Sequence, residues 1–189
     1  MNRKNLYLAL AVCLILTGCA SVPESREKIN VNGMVYDTEN RPAVNYEIYI
    51  DGRGMCVSDI GGRFVIERVK KGSHVLTGKG EGYLDISEEV MIRDKEQILY
   101  IRVPSVESRF KKAFSFMNDG AFDMAEGCVS EVLECDKDNT DALFFMSVIS
   151  YLKGDSDKAG EYLNKIRKKG GGGRYETELE KIIDKDQYR

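Results

Sequence analysis

Few side chains in this sequence could do chemistry. His74 is the single histidine of 189 residues, so a Ser-His-Asp relay or a histidine-bearing metal site would have to pass through it. It has no His or Cys at ligand spacing, and a satisfied core or surface histidine is the expected state. No G-x-S-x-G elbow occurs. Gly170 to Gly173 lack the Gly-Lys-Ser/Thr ending of a phosphate loop and follow a helical stretch rather than a strand. Asp37 and Asp59 lie in turn sequences, where a short carboxylate bonds nearby amides, so turn chemistry is expected of both. The sequence predicts a protein that is not an enzyme, with no metal and no cofactor.

Thiols are the remaining reactive type, and their placement matters more than their number. Residues 1–19 read MNRKNLYLALAVCLILTGC. Arg3 and Lys4 form a basic start, and Leu6 to Leu16 is an apolar run of eleven. A membrane span needs roughly 20 such residues, so the run has the size of a signal-peptide core. Leu16-Thr17-Gly18-Cys19 resembles the bacterial lipobox. That resemblance implies a diacylglyceryl group on the Cys19 thiol and cleavage before it, with residues 1–18 as the signal peptide. Two or three acyl chains on one residue make a stable membrane anchor. Ala20, in place of an inner-membrane retention Asp, favours the periplasmic face of an outer membrane. In a one-membrane organism the outer face of the cell membrane is the alternative. Cys13 leaves with the signal peptide. Cys128 and Cys135 are seven apart on a helical stretch, ~10 Å along its axis and too far to bridge. With Cys56 in another module, three buried free thiols are expected.

These features need elements to position them, and the composition supports ordered modules. The chain is 42% hydrophobic and 31% charged, with net charge −3. That balance gives no global basic character for nucleic acid. Loss of residues 1–18 removes Arg3 and Lys4 and takes the charge to −5. Residues 19–29 form a short polar tether. From 30 to 104 the pattern has period two, in Val44, Tyr46, Ile48 and Ile50, in Phe64 and Ile66, and in Leu99, Ile101 and Val103. Turn signals recur every eight to twelve residues, which predicts an antiparallel sandwich. Gly33-x-Val35-x-Asp37, Pro42, Ser58-Asp59-x-x-Gly62-x-Phe64-x-Ile66, Val69-x-x-Gly72 and Gly82-Tyr83 resemble the carboxypeptidase regulatory-like domain. The resemblance implies a transthyretin-like Greek-key sandwich of about seven strands, without the zinc ligands, which lie in a separate catalytic domain in that family. A PEGA-type surface-layer sandwich, which also ends in Gly-Tyr, is the other fold with this signature.

After Val103-Pro104-Ser105 the period changes to 3.6, with Ser105 as a helix N-cap. The join is short, so the modules are expected to abut. Residues 105–169 repeat with a step of 34: Gly120 to Gly154, Ala125 to Ala159, Phe110 to Phe144, Met117 to Tyr151. That period resembles the tetratricopeptide repeat and implies two helical hairpins. Arg109 and Lys112 depart from it, standing where the family prefers large apolar residues. Residues 170–189 comprise a glycine break and a capping helix with Leu179, Ile182 and Ile183 on one face. The expected class is therefore α+β, a seven-stranded antiparallel sandwich followed by a helical array.

Two surfaces could serve function. Lys165 to Lys169 with Arg174 form a basic cluster, read as cations favoured at a helix C-terminus, with an anionic partner as the sharper reading. Phe110, Phe114 and Met117, and then Phe144, Val148 and Tyr151, run at i, i+4, i+7 on the first helix of each hairpin. In the repeat family such positions line the concave, partner-binding face; packing as core is the alternative. The expected function is a lipid-anchored envelope scaffold or adaptor that binds another envelope protein through its helices, with no nucleic acid. A glycan or cell-wall module using the sandwich surface is the alternative.

Overall fold

A computed structural model describes residues 28–170, 173, 177–179, 181 and 183. The signal peptide, Cys19, Arg174 and Ile182 lie outside the described residues. Seven strands come first: β1 (Lys28–Asp37), β2 (Glu47–Ile50), β3 (Arg53–Val57), β4 (Arg63–Lys70), β5 (Gly72–Lys79), β6 (Ile86–Ile92) and β7 (Ile98–Val103). They form two sheets, ordered β4-β1-β7 and β3-β2-β5-β6. β1 begins at Lys28 with Ile29 already buried, so the sandwich takes in two residues of the expected tether. Ile48, Ile50, Phe64, Ile66, Leu99, Ile101 and Val103 all turn inward as their alternation requires. Val44 lies before its strand and is 39% exposed. The pairs are antiparallel except β1 with β7, which run parallel from Asn32↔Ile98 to Asp37↔Val103. A parallel pair needs a long connection, and here the rest of the sandwich supplies it.

Close approaches explain several residue choices. Tyr46 is fully buried, with its ring across the backbone of Gly78 and Gly80, and its hydroxyl donates to the Leu84 carbonyl at 3.0 Å. Gly62 sits at φ +73°, where a Cβ would press into the Val35 carbonyl oxygen. Asp37 Oδ1 accepts from the Glu39 and Arg41 amides at 2.8 and 2.9 Å, and Asp59 Oδ1 accepts from those of Gly61 and Arg63, both at 2.8 Å. Both aspartates are turn-formers, as their sequence context predicts.

Four helices follow: α1 (Val106–Asn118), α2 (Phe122–Cys135), α3 (Thr140–Leu152) and α4 (Ser156–Lys168). Val106 to Thr140 and Phe122 to Ser156 are both steps of 34 residues. The repeat extends to the caps. Ser105, Asn139 and Asp155 accept from the amides three residues on, and Gly120 and Gly154 take positive φ. After α1, Gly120 and Ala121 donate to Met117 and Phe116; after α3, Gly154 and Asp155 donate to Tyr151 and Ser150. Paired 5→2 and 6→1 bonds of this kind stop both helices in the same way. Residues 177–179, 181 and 183 are helical, with Leu179 and Ile183 buried against Leu143, Ala159, Leu163 and Ile166.

The two modules are clamped together. Leu84 donates to the Pro104 carbonyl at 2.8 Å and Val106 to that of Gly82 at 2.9 Å, so the β5–β6 loop pairs with the connecting segment. The Leu84 side chain leaves the sandwich and joins the helical core with Ala113, Ala125, Val129, Ala142 and Met146. Arg41 reaches Glu107 at 3.0 Å, and Lys111 reaches Glu39 at 3.4 Å.

Candidate partner-binding surfaces

The helical stripe comes from α1 and α3, which touch through Phe110 and Phe145. Phe110 stacks on Phe145 with ring centroids 4.8 Å apart and planes 6° from parallel. Phe110 and Met117 are half-buried against the first helical cluster, the one that holds Leu84. Phe144, Val148 and Tyr151 are half-buried against the second, which contains Leu179 and Ile183. Phe114 stands apart from both clusters and is 57% exposed. The stripe is thus divided between two clusters, and of its six residues only Phe114 is mostly exposed to solvent.

The departures from the repeat pattern are accommodated by charge. Arg109 turns its guanidinium to Glu131 on α2 at 2.7 Å, although its Nε has no partner. Lys112 lies over the Phe116 ring, 5.7 Å from its centroid. Lys153 bridges Asp123 and Glu126 at 2.6 and 2.7 Å, fastening the end of α3 to α2. In the basic cluster, Lys165, Arg167 and Lys168 occupy the last turn of α4, Lys165 lies over Tyr162, and Lys169 pairs with Asp138. That is the arrangement expected of cations at a helix C-terminus.

Sequence periodicity pointed away from a second surface, the outer face of the β4-β1-β7 sheet. Opposite the buried Leu99, Ile101 and Val103, the strand turns Ile98, Tyr100 and Arg102 outward. Register puts Tyr100 beside Met34, and Arg102 beside Tyr36. Tyr100 is 69% exposed, and the Tyr36 hydroxyl rests 3.9 Å from Met34 Sδ. The outward half of the β7 alternation, Ile98, Tyr100 and Arg102, carries this face in the sequence.

His74, Asp51 and Asp37 are held by structural contacts. His74 has Nδ1 2.7 Å from Asp51 Oδ2 and Nε2 3.0 Å from the Lys70 carbonyl oxygen. His74 and the Val75 amide together hold the Asp51 carboxyl below its usual range. Burial pushes the Asp37 carboxyl up, but the Arg41 amide, the Arg41 guanidinium and the Glu39 amide outweigh it and hold the group below the carboxylate range. The thiols differ from expectation. Cys128 is buried, and Cys56 is half-buried with its thiol pushed up to about 11 by burial. Cys135 is exposed, because it ends α2, where its sulfur accepts from the Asp85 amide at 3.4 Å. All three are free. Among the described residues, no group of three or more His, Cys, Asp or Glu could hold a metal ion, and no helix is long and apolar enough to cross a membrane.

No family model matches the chain, and no curated protein matches it. Among solved structures it is similar to a mutant type II cohesin–X-dockerin complex from Acetivibrio cellulolyticus, at 17% identity and TM-score 0.35, over 41% of this chain and 58% of that one. It is similar also to 3-chlorocatechol 1,2-dioxygenase from Rhodococcus opacus 1CP, at 12% identity and TM-score 0.35, over 44% of this chain and 62% of that one. A third is the Caf1A usher C-terminal domain, at 13% identity and TM-score 0.32, over 40% of this chain and 97% of that one. The chain spans less than two thirds of the length of the first two. These are partial likenesses at low superposition scores, and no activity passes from them to this protein.

Proposed function

We propose that the protein is a lipid-anchored, non-catalytic envelope adaptor that holds a protein-binding helical unit away from the membrane. The observation that carries this reading is the placement of the module's two ends. The tether enters at the start of β1, and the helices leave from the far end of the parallel strand β7. A ten-residue strand spans about 33 Å, so the clamped sandwich acts as a stiff spacer. Cys19 carries the acyl chains, and the periplasmic face of an outer membrane is the favoured location. The partner lies along the α1–α3 face, with exposed Phe114 as its anchor and Phe110, Met117, Phe144, Val148 and Tyr151 forming the bed beneath. An aromatic anchor of this type loses about 2 kcal/mol of binding when truncated.

Two variants test the reading. Cys19→Ser should move the protein from the detergent-soluble membrane fraction to the soluble one; unchanged membrane association defeats the anchor. Phe114→Ala should abolish capture of the protein that wild type crosslinks in the envelope, with an unaltered melting temperature. Retained capture of that same protein defeats the helical site. The exposed Tyr100 ring, with half-buried Tyr36 nearby, supports a second reading, a glycan platform, since a flat exposed aromatic is suited to a sugar ring. Tyr100→Ala would then reduce retention on isolated cell wall while leaving protein capture intact.

A further inference from the structure

The tether end of the sandwich differs in charge from the rest of the molecule. Lys28 with segments 51–53, 67–73 and 89–97 holds seven Lys or Arg against five Asp or Glu, in a chain whose net charge is −3. All these segments meet where β1 begins: Lys28 pairs with Lys70 across β1–β4, Gly72 pairs with Ile92, and the β6–β7 loop closes the same end. Between them lies an open cleft of about 610 Å³, lined by Lys28, Arg53, Arg68 and Lys70, with Asp51 and Glu67 as its acids. Asp51 is engaged by His74.

The backbone places Arg68 at this cleft at some cost. The β1–β4 register slips between Ile29 and Val31, so β4 carries an extra residue. Arg68 sits at φ +54°, a left-handed conformation disfavoured for a residue with a side chain, and its amide is held by Asn30 Oδ1 at 3.0 Å. The bulge leaves Glu67 and Arg68 both exposed while Val69 turns inward. Without it the alternation would put Arg68 towards the core.

We infer that this basic end seats on anionic lipid headgroups, so that the protein stands upright on its membrane with the helices outermost. The inference rests on the anchor reading for its geometry, because Cys19 is nine residues before Lys28 and an extended chain of that length reaches no more than ~30 Å. Charge complementarity selects the occupant. An acidic protein is repelled by an anionic surface everywhere except at a cationic end, and each Lys or Arg near such a surface strengthens binding about fivefold. The field fades within ~8 Å at physiological salt, so only the residues at this end act.

The test uses the chain from residue 20 onward, which keeps every described residue and carries no acyl group. Its sedimentation is measured with vesicles of phosphatidylcholine alone and with 30% phosphatidylglycerol. The expected result is tighter binding to the anionic vesicles, weakened by salt. Arg53→Gln with Arg68→Gln should reduce it about 25-fold with the melting temperature checked, and Lys28→Gln alone about fivefold. Equal binding to both vesicle types overturns the inference. So does a folded Arg53→Gln/Arg68→Gln variant that binds like wild type, or a loss produced instead by Lys165→Gln/Lys168→Gln on α4. Because no acyl chain is involved, failure here is distinguishable from failure of the anchor, which the localisation of Cys19→Ser reads separately.

Discussion

Leu84→Ala should weaken the helical unit more than the sandwich that supplies the residue. Leu84 is 4% exposed, and its side chain belongs to the helical cluster, among Ala113, Ala125 and Ala142, whose methyl groups are too short to swing into a void. Truncation therefore leaves most of its cavity open, which places the cost at about 3 kcal/mol or more within the usual range for Leu→Ala. For a unit of 60–100 residues that melts by itself, this is a fall of roughly 12–24 °C in its melting temperature. The backbone clamp survives, because Leu84 still donates to Pro104 and accepts from Tyr46. Thermal unfolding followed at 222 nm for helix and by hydrogen exchange of the strand amides for the sandwich should change from one transition to two, the helical one first. A single transition shifted by less than about 2 °C would refute the claim that the plug joins the two cores. A sandwich that melts before the helices would show that Leu84 serves its own module.

Three further outcomes follow from the same geometry. Gly62→Ala should cost more than ~2 kcal/mol in urea unfolding, since left-handed strain adds to a clash with the Val35 carbonyl; a smaller loss means the turn relaxes freely. Asp37 has a folded-state pKa below its unfolded one, so its contribution is complete above about pH 4 and lost as pH falls through the folded value. Asp37→Asn should accordingly flatten the fall in urea midpoint between pH 5 and 2, and an unchanged slope would assign the acid sensitivity elsewhere. In native protein at pH 8, iodoacetamide should modify Cys135 well before Cys56, whose thiolate is suppressed by burial, with Cys128 last; mass mapping that finds Cys128 first would contradict the packing of α2.

The sandwich and the hairpins were legible where a local rule had a single outcome. Period-two alternation with one buried face named Ile48, Phe64, Leu99 and Ile101 as core, and the 34-residue step located both hairpins. The caps were readable too, since Ser105 and the two glycines have one conformational use each. What escaped depends on contacts between distant segments. The parallel β1–β7 pair joins the first strand to the last, and nothing near Val35 or Ile101 encodes its direction. Leu84 reads as a loop residue of the sandwich until the helices cover it. Phe110 and Phe144 show the ambiguity of an apolar stripe, because spacing fixes the face and says nothing of what packs on it. Arg68 was hidden by its bulge, which breaks the alternation that sequence reading relies on.

That parallel pairing has a mechanical consequence. Tension applied between the start of the sandwich and the helices enters β1 at Lys28 and leaves β7 at Val103, the opposite ends of two adjacent strands. The force then runs along the strands and slides them past each other, so the inter-strand bonds from Asn32 to Asp37 are strained together rather than peeled one at a time. Rupture in this direction should be slow at a given force, which forced-unfolding rates measure directly. Pulling instead on Lys28 and Lys70, a facing antiparallel pair at the same edge, should open the β1–β4 ladder at much lower force. Equal rupture forces in the two directions would show that the sheet does not resist by shear.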